Sequence, residues 1–305
     1  MTANSDIADD QLAAAPPRPV ILPPPPQRSR VMGMLIEHPT LWIGAALLVL
    51  VTAMAIFAPL VATSDPSALN PAQRVLPPSA EAWFGTDMMG RDIYSRTVYG
   101  ARVSLIVGAG VAIFASVIGL TIGLLSGFVR WADNIIMRVM DGLMSIPAIL
   151  LAIALMTLMR GGSVFNVILA ITIAEIPRVA RLTRSVVLSV REQPYVEAGT
   201  ACGTSTFGII WYHIMPNTLA PLTVQATYIC ASAMITEAIL SFIGAGTPTS
   251  IPSWGNIMAE GRALWQVKPN VVFFPAVFLS ITVLAVNLVG DGLRDAVDPR
   301  LAKQV

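Results

Sequence analysis

Charged residues are scarce in this 305-residue chain, because Asp, Glu, Lys and Arg together make up only 12% of it. Soluble domains carry about 25%. Hydrophobic residues make up 55%, which disfavours a soluble fold with a single core. The formal net charge of +1 argues against a nucleic-acid-binding surface. The composition therefore predicts an integral membrane protein.

Metal ligands and phosphate-binding sequences are also lacking. Cys202 and Cys230 form no C-x-x-C pair, and His38 and His213 are too few for a histidine-built metal site. Neither of the two lysines follows a glycine, so the G-x-x-x-x-G-K-[ST] phosphate-binding loop is absent. We therefore expect no metal, no cofactor and no catalytic residue, and ATP hydrolysis through such a loop is excluded.

Residues 1–34 differ from the rest of the chain. Seven of the eleven residues from Pro16 to Pro26 are proline, which predicts a stiff, disordered cytoplasmic tail with too little apolar content to fold. The first long apolar segment begins near Leu41 and no A-x-A cleavage site follows it. We expect this segment to be retained as a membrane anchor.

Apolar segments of about 20 residues predict membrane-spanning helices. Six are predicted: Thr40–Val61, Val103–Val129, Leu143–Met159, Val164 to about Ala180, Leu219–Ile243 and Val271–Val289. The fourth reaches spanning length only by continuing past Glu175 and Pro177. The expected fold is an all-α membrane protein with six transmembrane helices.

Basic residues predict its orientation. With a cytoplasmic N-terminus, twelve of the nineteen Lys and Arg residues lie on the cytoplasmic side, as the positive-inside rule favours. Both termini are then cytoplasmic, 62–102 and 244–270 are extracytoplasmic, and 178–218 is cytoplasmic. We divide the chain into the tail 1–34, a first helix and extracytoplasmic segment 35–102, a transmembrane core 103–290 and a cytoplasmic tail 291–305.

The cytoplasmic segment contains a predicted helix–joint–helix unit, residues 194–216, which we call the knob. Pro194 can open its first helix, Glu197 lies in the first turn where the helix dipole favours a carboxylate, and Gly203 ends it. Thr204 or Ser205 can cap a second helix, which is expected to stop at Pro216. Such a unit is typical of a docking surface and not of a catalytic pocket.

The knob resembles the EAA–x3–G–…–I–x–LP signature of ABC importer permease subunits. The matching residues are Glu197, Ala198, Gly199, Gly203, Ile214 and Pro216. By resemblance these six residues form the loop that couples the permease to a separate ATPase. Two differences stand out: Gly199 replaces the last alanine of the signature, which lowers helix propensity by about 1 kcal/mol, and Cys202 replaces a larger aliphatic residue.

Two further blocks are similar to the dipeptide/oligopeptide/nickel branch of these permeases, and to its second permease subunit. They are the GTDMMGRDIYSRTVYGARVSL block of 85–105, and PSWGN of 252–256 with the C-terminal stretch 287–301. The resemblance implies a type I ABC importer permease fold in a bacterial inner membrane. It also implies four kinds of partner: a homologous permease as heterodimer partner, two ATP-binding cassette subunits, an extracytoplasmic solute-binding protein and membrane lipid. Peptides are the expected cargo, with nickel complexes or opine-like conjugates as alternatives.

Ionisable residues inside the predicted spans are functional candidates, because burying a charge in a membrane is costly. Glu237 is the deepest, and either a role in the translocation pathway or a helix-packing contact fits it. Glu175 and Arg178 are expected to form an ion pair at the membrane surface, and Arg138 and Asp141 share the same spacing.

Two other classes of protein remain as alternatives. An ion-coupled secondary carrier would need charged relays in several spans and repeated halves with broken helices. An intramembrane protease would need a catalytic pair or an H-E-x-x-H helix, and neither histidine lies in such a pattern. Both are disfavoured.

Overall fold

The computed structural model describes residues 39–159 and 162–297. Within these ranges the chain is helical and has no β-strand, apart from an isolated bridge between Thr86 and Asp92. The all-α class is therefore confirmed. The predicted proline-rich tail lies outside the described residues, as do residues 298–305.

The helices follow one another with short connections. They are α1 (Pro39–Ile56), α2 (Ala58–Val61), α3 (Ile93–Phe128), α4 (Arg130–Met144), α5 (Ala148–Leu158), α6 (Val164–Arg191), α7 (Pro194–Ala201), α8 (Thr206–Ile209), α9 (Met215–Ile243), α10 (Trp254–Gly261) and α11 (Asn270–Val297). Single turns of 3₁₀ helix lie at Pro71–Gln73 and Arg262–Leu264, and a π-helical turn at Ile210–Ile214 joins α8 to α9.

Four of these helical segments are long and apolar enough to cross a membrane: α1, α3, the segment Thr206–Ile243 and Asn270–Ala296 of α11. The second predicted span is longer than expected, because α3 begins at Ile93 and not at Val103. Asp92 caps its first turn by accepting a hydrogen bond from the backbone N–H of Ser95. At 1.5 Å per residue, the 36 residues of α3 extend about 54 Å.

The third predicted span is wrong as a single helix. The axes of α4 and α5 form an angle of 92°, with Pro147 at the N-cap of α5. Proline lacks the N–H that would continue the α4 ladder, and it disfavours helical geometry at Ile146. The eleven residues of α5 rise only about 16 Å, roughly half the hydrocarbon thickness. Together α4 and α5 form a broken span or a re-entrant segment.

The fourth predicted span is part of α6, whose 28 residues continue through Pro177. Close packing supports the helix across this proline. The glycines of α3 at 119, 123 and 127 face Val179, Thr183 and Val187 of α6, and a Cβ on any of them would overlap these side chains. A six-helix bundle is consistent with this architecture, while the count of six spans stays a prediction.

The main hydrophobic core lies between α3, α5, α6 and α9. Its fully buried members include Val107, Val111, Val167, Ile229 and Leu240. A second cluster joins α1 to α3 and α10, around Val51, Ala101 and Trp254. The knob lies at the C-terminal end of α3, and the segment 62–92 lies at its N-terminal end.

Candidate functional site

The first helix of the knob forms as the sequence predicts. Pro194 lies in the first turn of α7, and Glu197 is the acidic residue of that turn. Gly203 adopts a left-handed φ of +81°. The N–H of Gly203 donates to the carbonyl oxygen of Thr200 at 3.0 Å, and that of Thr204 to Gly199 at 3.1 Å. This pair of bonds is a Schellman motif, which ends α7 and fixes the direction of the joint.

The second helix of the knob does not stop at Pro216, which corrects that expectation. Ser205 caps α8, accepting from the N–H of Gly208 at 3.3 Å, and the helix then continues without a break into α9. Pro216 lies in the first turn of α9, directly after the π-helical turn. A wider turn supplies the room that proline needs in the preceding turn. The second helix of the knob and the fifth predicted span are therefore one continuous helical segment, Thr206–Ile243.

The inner side of the knob is anchored on the helix bundle. Val196 of α7, Ile209 of α8 and Ile214 of the π-helical turn are buried together against Val187 of α6. Leu124, Phe128 and Val190 surround this cluster. The guanidinium of Arg191 also donates to the carbonyl oxygen of Gly127 at 3.1 Å. A displacement of the knob would therefore pull on α3, α6 and α9 together.

The outer side of the knob exposes aromatic rings. Phe207, Trp211 and Tyr212 are 73%, 51% and 74% exposed. The rings of Phe207 and Trp211 stack with their centroids 6.1 Å apart. Glu197 and Ala198 are also exposed. Exposed aromatic residues beside a carboxylate are typical of a protein-binding surface.

The two differences from the EAA signature have different structural settings. A Cβ on Gly199 would lie 3.1 Å from Cδ1 of Ile209 and 3.3 Å from Nε2 of His213, so glycine lets α7 approach the second helix closely. Cys202 is exposed at the end of α7. Its small side chain therefore removes nothing from the buried cluster.

Four charged side chains join the 62–102 segment to α10, and we call them the charged clasp: Asp87, Arg91, Arg96 and Glu260. Oδ2 of Asp87 accepts from Nε of Arg91 and from Nη1 of Arg96, each at 2.7 Å. Oε2 of Glu260 accepts from Arg91 at 2.5 Å and from Arg96 at 2.8 Å. Sequence reasoning missed this network, because Glu260 lies 164 residues from Arg96 and no local pattern links them.

The remaining polar residues of the same block tie α1 and α2 to α3. The hydroxyl of Ser95 accepts from the N–H groups of Thr63 and Ser64 at 3.1 and 3.0 Å. The guanidinium of Arg102 donates to the carbonyl oxygens of Ala55 and Ile56, at 2.5 and 2.9 Å. The bonds from Arg102 satisfy carbonyl oxygens at the C-terminal end of α1, which would otherwise be unpaired.

The PSWGN sequence packs onto the start of α3. Trp254 is fully buried and its indole N–H donates to the carbonyl oxygen of Thr97 at 2.9 Å. Gly100 makes room for it, since a Cβ there would lie 3.2 Å from Cδ1 of Trp254. The 85–105 block and the PSWGN sequence of 252–256 therefore pack against each other inside the protein.

Glu237 is completely buried within the chain. Its Oε1 accepts from the hydroxyl of Ser241 at 2.8 Å and from that of Thr247 at 3.4 Å. Asn256 donates to both oxygens of Thr247, at 3.2 and 3.0 Å. Oε2 of Glu237 lacks a hydrogen-bond partner among the described residues. This geometry favours the helix-packing alternative, with Glu237 holding the segment 244–253 onto α9.

The charged residues of α4 and α6 form three ion pairs, one within α6 and two between the helices. Glu175 and Arg178 form the expected ion pair, at 2.9 Å. The expected pair between Arg138 and Asp141 is wrong, because Asp141 bonds Arg181 of α6 at 2.6 Å. Arg184 of α6 binds both carboxylate oxygens of Asp133, and this hydrogen bonding raises the pKa of Arg184. Two ion pairs therefore hold α4 against α6.

Comparison with known proteins identifies this architecture. Residues 115–303 match the model of the family described as binding-protein-dependent transport system inner membrane component. The chain belongs to this family. Residues 27–78 also match the N-terminal transmembrane domain of oligopeptide transport permease C. The resemblance in the sequence blocks is thereby confirmed.

Three relatives illustrate the match. A probable peptide ABC transporter permease protein of Sinorhizobium fredii is 52% identical over 274 residues, covering 90% of this chain and 94% of the relative. The dipeptide transport system permease protein DppC of Alkalihalophilus pseudofirmus is 40% identical over 300 residues, covering 98% and 95%. The oligopeptide transport system permease protein OppC of Bacillus subtilis is 40% identical over 262 residues, covering 86% of each chain.

Family membership defines the general role. The chain is a multi-pass membrane permease subunit of a multi-component ABC importer, and such subunits are membrane channel components without catalytic activity.

Proposed function

We propose that this permease subunit forms part of a translocation pathway for peptides in the cytoplasmic membrane of a bacterium, with both termini cytoplasmic. The printed names of the relatives, which refer to peptides, dipeptides and oligopeptides, support this cargo. Nickel complexes or opine-like conjugates are the alternative cargo within the family. An ion-coupled carrier is disfavoured, because Glu237 is enclosed by hydrogen-bonding groups of its own chain.

The partners we propose are a homologous permease, two ATP-binding cassette subunits and an extracytoplasmic solute-binding protein. ATP hydrolysis belongs to the cassette subunits, since this chain has no phosphate-binding loop. The segments 62–102 and 244–270, which meet at the charged clasp, are the surface for the binding protein. A rigid clasp would let the docked protein act on α3 and α9 as one body.

One observation supports docking of the ATPase at the knob: its apolar side chains divide into two sets that face opposite ways. Val196, Ile209 and Ile214 anchor it to the bundle, while Phe207 and Trp211 are exposed on its outer side. Aromatic residues are enriched at the centres of protein interfaces. Closure of the ATPase pair would move the knobs, and the continuous helix 206–243 would carry that motion into the membrane.

Docking is tested by the double variant Phe207→Ala/Trp211→Ala. Because both rings are exposed, we expect normal membrane insertion and thermal stability, but loss of the copurifying ATPase subunits and of peptide uptake. The matched control is Phe165→Ala, which removes a 56%-exposed ring at the opposite end of α6. Full ATPase recovery with the double variant would overturn docking at this surface.

The native cysteines offer a test of orientation. Cys202 is exposed on the knob, so a Cys230→Ala variant leaves it as the single reporter. We expect a membrane-impermeant maleimide to leave intact spheroplasts unlabelled at Cys202 and to label it in inverted vesicles stripped of ATPase. The second reporter is Glu81→Cys in a chain lacking both native cysteines, because Glu81 is exposed in the 62–102 segment. We expect the maleimide to label this cysteine in intact spheroplasts and not in inverted vesicles. Labelling of Cys202 in intact spheroplasts would contradict the six-span topology.

A further inference from the structure

Helix α4 carries a line of exposed apolar side chains. Trp131, Ile135 and Val139 are 74%, 60% and 54% exposed. Their spacing of four residues places them on one side of the helix, along most of its length of about 22 Å. We call these three residues the α4 stripe.

A second side of α4 faces the protein. Met140 is buried, and Asp133 is held by Arg184 of α6 through two hydrogen bonds. At 100° per residue these two side chains point about 150° away from the centre of the stripe. The stripe is therefore not the side by which α4 packs on its own bundle.

A third side of α4 is polar and exposed. It carries Asn134, Arg138 and Asp141, of which Asp141 bonds Arg181 of α6, and it points about 90° from the stripe in the other direction. Within the described residues, no carboxylate lies within 4.0 Å of the Arg138 guanidinium. The helix thus has one side that faces the protein, one that is apolar and exposed, and one that is polar and exposed.

The stripe continues the exposed apolar surface of α3. The exposed side of α3, an apolar spanning helix, carries Ile113, Val117 and Leu125 at 61%, 58% and 51% exposure. The chain turns at Val129, and Trp131 follows six residues after Leu125. The axes of α4 and the apolar helix α5 are nearly perpendicular, at 92°. If α5 enters the membrane along the membrane normal, α4 therefore runs parallel to the membrane surface.

We propose that α4 is an interfacial helix that lies in the plane of the membrane surface. The α4 stripe inserts among the lipid acyl chains just below the headgroups, the ion pair between Asp133 and Arg184 of α6 holds the opposite side, and Arg138 extends to lipid phosphates. Strong amphipathicity with a tryptophan on the apolar side and an arginine at its edge is typical of such helices. The occupant of this surface is lipid, and the proposal is independent of cargo and of ATPase docking.

The depth of α4 can be measured by spin labelling. Single cysteines at Ile135, Val139 and Asn134 would be introduced into the full chain lacking both native cysteines. The labelled transporter would be reconstituted into vesicles of phosphatidylethanolamine and phosphatidylglycerol. Collision with oxygen reports contact with acyl chains, and collision with a water-soluble nickel chelate reports contact with water. Ile113→Cys on α3 is the reference for a lipid-facing residue.

We expect labels at 135 and 139 to favour oxygen over the nickel chelate, as the label at 113 does, and the label at 134 to show a several-fold lower ratio. Low collision rates with both reagents at 135 and 139 would mean that another subunit covers the stripe, and would overturn the proposal. High collision rates with the nickel chelate at 135 and 139 would mean exposure to water and would also overturn it. Peptide uptake by the labelled variants establishes that each retains the assembled state.

Discussion

The charged clasp and the knob lie near opposite ends of α3 and distribute polarity in opposite ways. In the clasp, four charged groups face inward and bind one another, with Asp87 2% and Arg96 1% exposed. In the knob, three aliphatic residues face inward and aromatic rings face outward. A surface whose polar groups are already bonded internally is suited to transmitting force as a rigid body. A surface with exposed rings is suited to binding a partner.

The largest effect is expected from Arg96→Ala in the clasp. The substitution leaves Asp87 and Glu260 sharing one arginine, and removal of one partner from a buried ion pair costs about 3–5 kcal/mol. We expect a large fall in the thermal unfolding temperature of the purified chain in detergent. Arg74→Ala is the control, because Arg74 is exposed and forms no ion pair with the described residues.

Arg96→Lys sharpens this expectation. Lysine keeps the charge but lacks the planar fork that lets Arg96 bind Asp87 and Glu260 at once, so it should restore only part of the lost stability. If Arg96→Ala and Arg74→Ala unfold at the same temperature, the clasp does not stabilise this end of the protein.

An intermediate effect is expected from two glycines with similar backbone angles. Gly90 in the 62–102 segment has a φ of +77° and Gly203 in the knob has +81°. A Cβ on Gly90 would overlap the carbonyl oxygen of Asn70, whereas a Cβ on Gly203 would meet no atom within 4 Å. Gly203→Ala should therefore cost about 1–2 kcal/mol of local strain, and Gly90→Ala more, because the chain at Asn70 must also move.

Substitution by asparagine separates backbone strain from steric overlap. Asparagine tolerates a left-handed φ but still carries a Cβ. Gly203→Asn should retain most peptide uptake and Gly203→Val should abolish it, while Gly90→Asn should be as harmful as Gly90→Ala. Loss of uptake in a stable Gly203→Asn variant would mean that Gly203 is needed to leave room for the docked partner, and not to allow the left-handed turn.

The smallest effect is expected from Ser205→Ala. The hydroxyl of Ser205 accepts one hydrogen bond of 3.3 Å at the start of α8, and loss of such a cap costs about 1 kcal/mol. We expect faster amide hydrogen exchange confined to 206–209 and unchanged exchange in α9. Ser205→Asp keeps an acceptor at the cap and is the matched control. Faster exchange throughout 206–243 would show that the knob and α9 unfold as one unit.

Local sequence patterns predicted the elements in which a few neighbouring residues decide the geometry. Pro194 and Gly203 set the ends of α7, as the turn chemistry of proline and glycine predicts. Local patterns misjudged Pro147 and Pro216. A proline breaks a helix at Pro147, where it lies in an exposed bend between α4 and α5, but is tolerated at Pro216, where a π-helical turn precedes it.

The sequence by itself determined that the chain is a helical membrane protein of a known transporter family, because composition, apolar length and turn chemistry are properties of short segments. The tertiary structure alone decided which charged residues meet. Arg138 and Asp141 have the spacing of a helical ion pair, yet Asp141 binds Arg181 of a neighbouring helix, and Arg96 binds Glu260 of α10. Such pairings depend on how helices pack, and electrostatic attraction over a few ångströms is insensitive to separation along the chain.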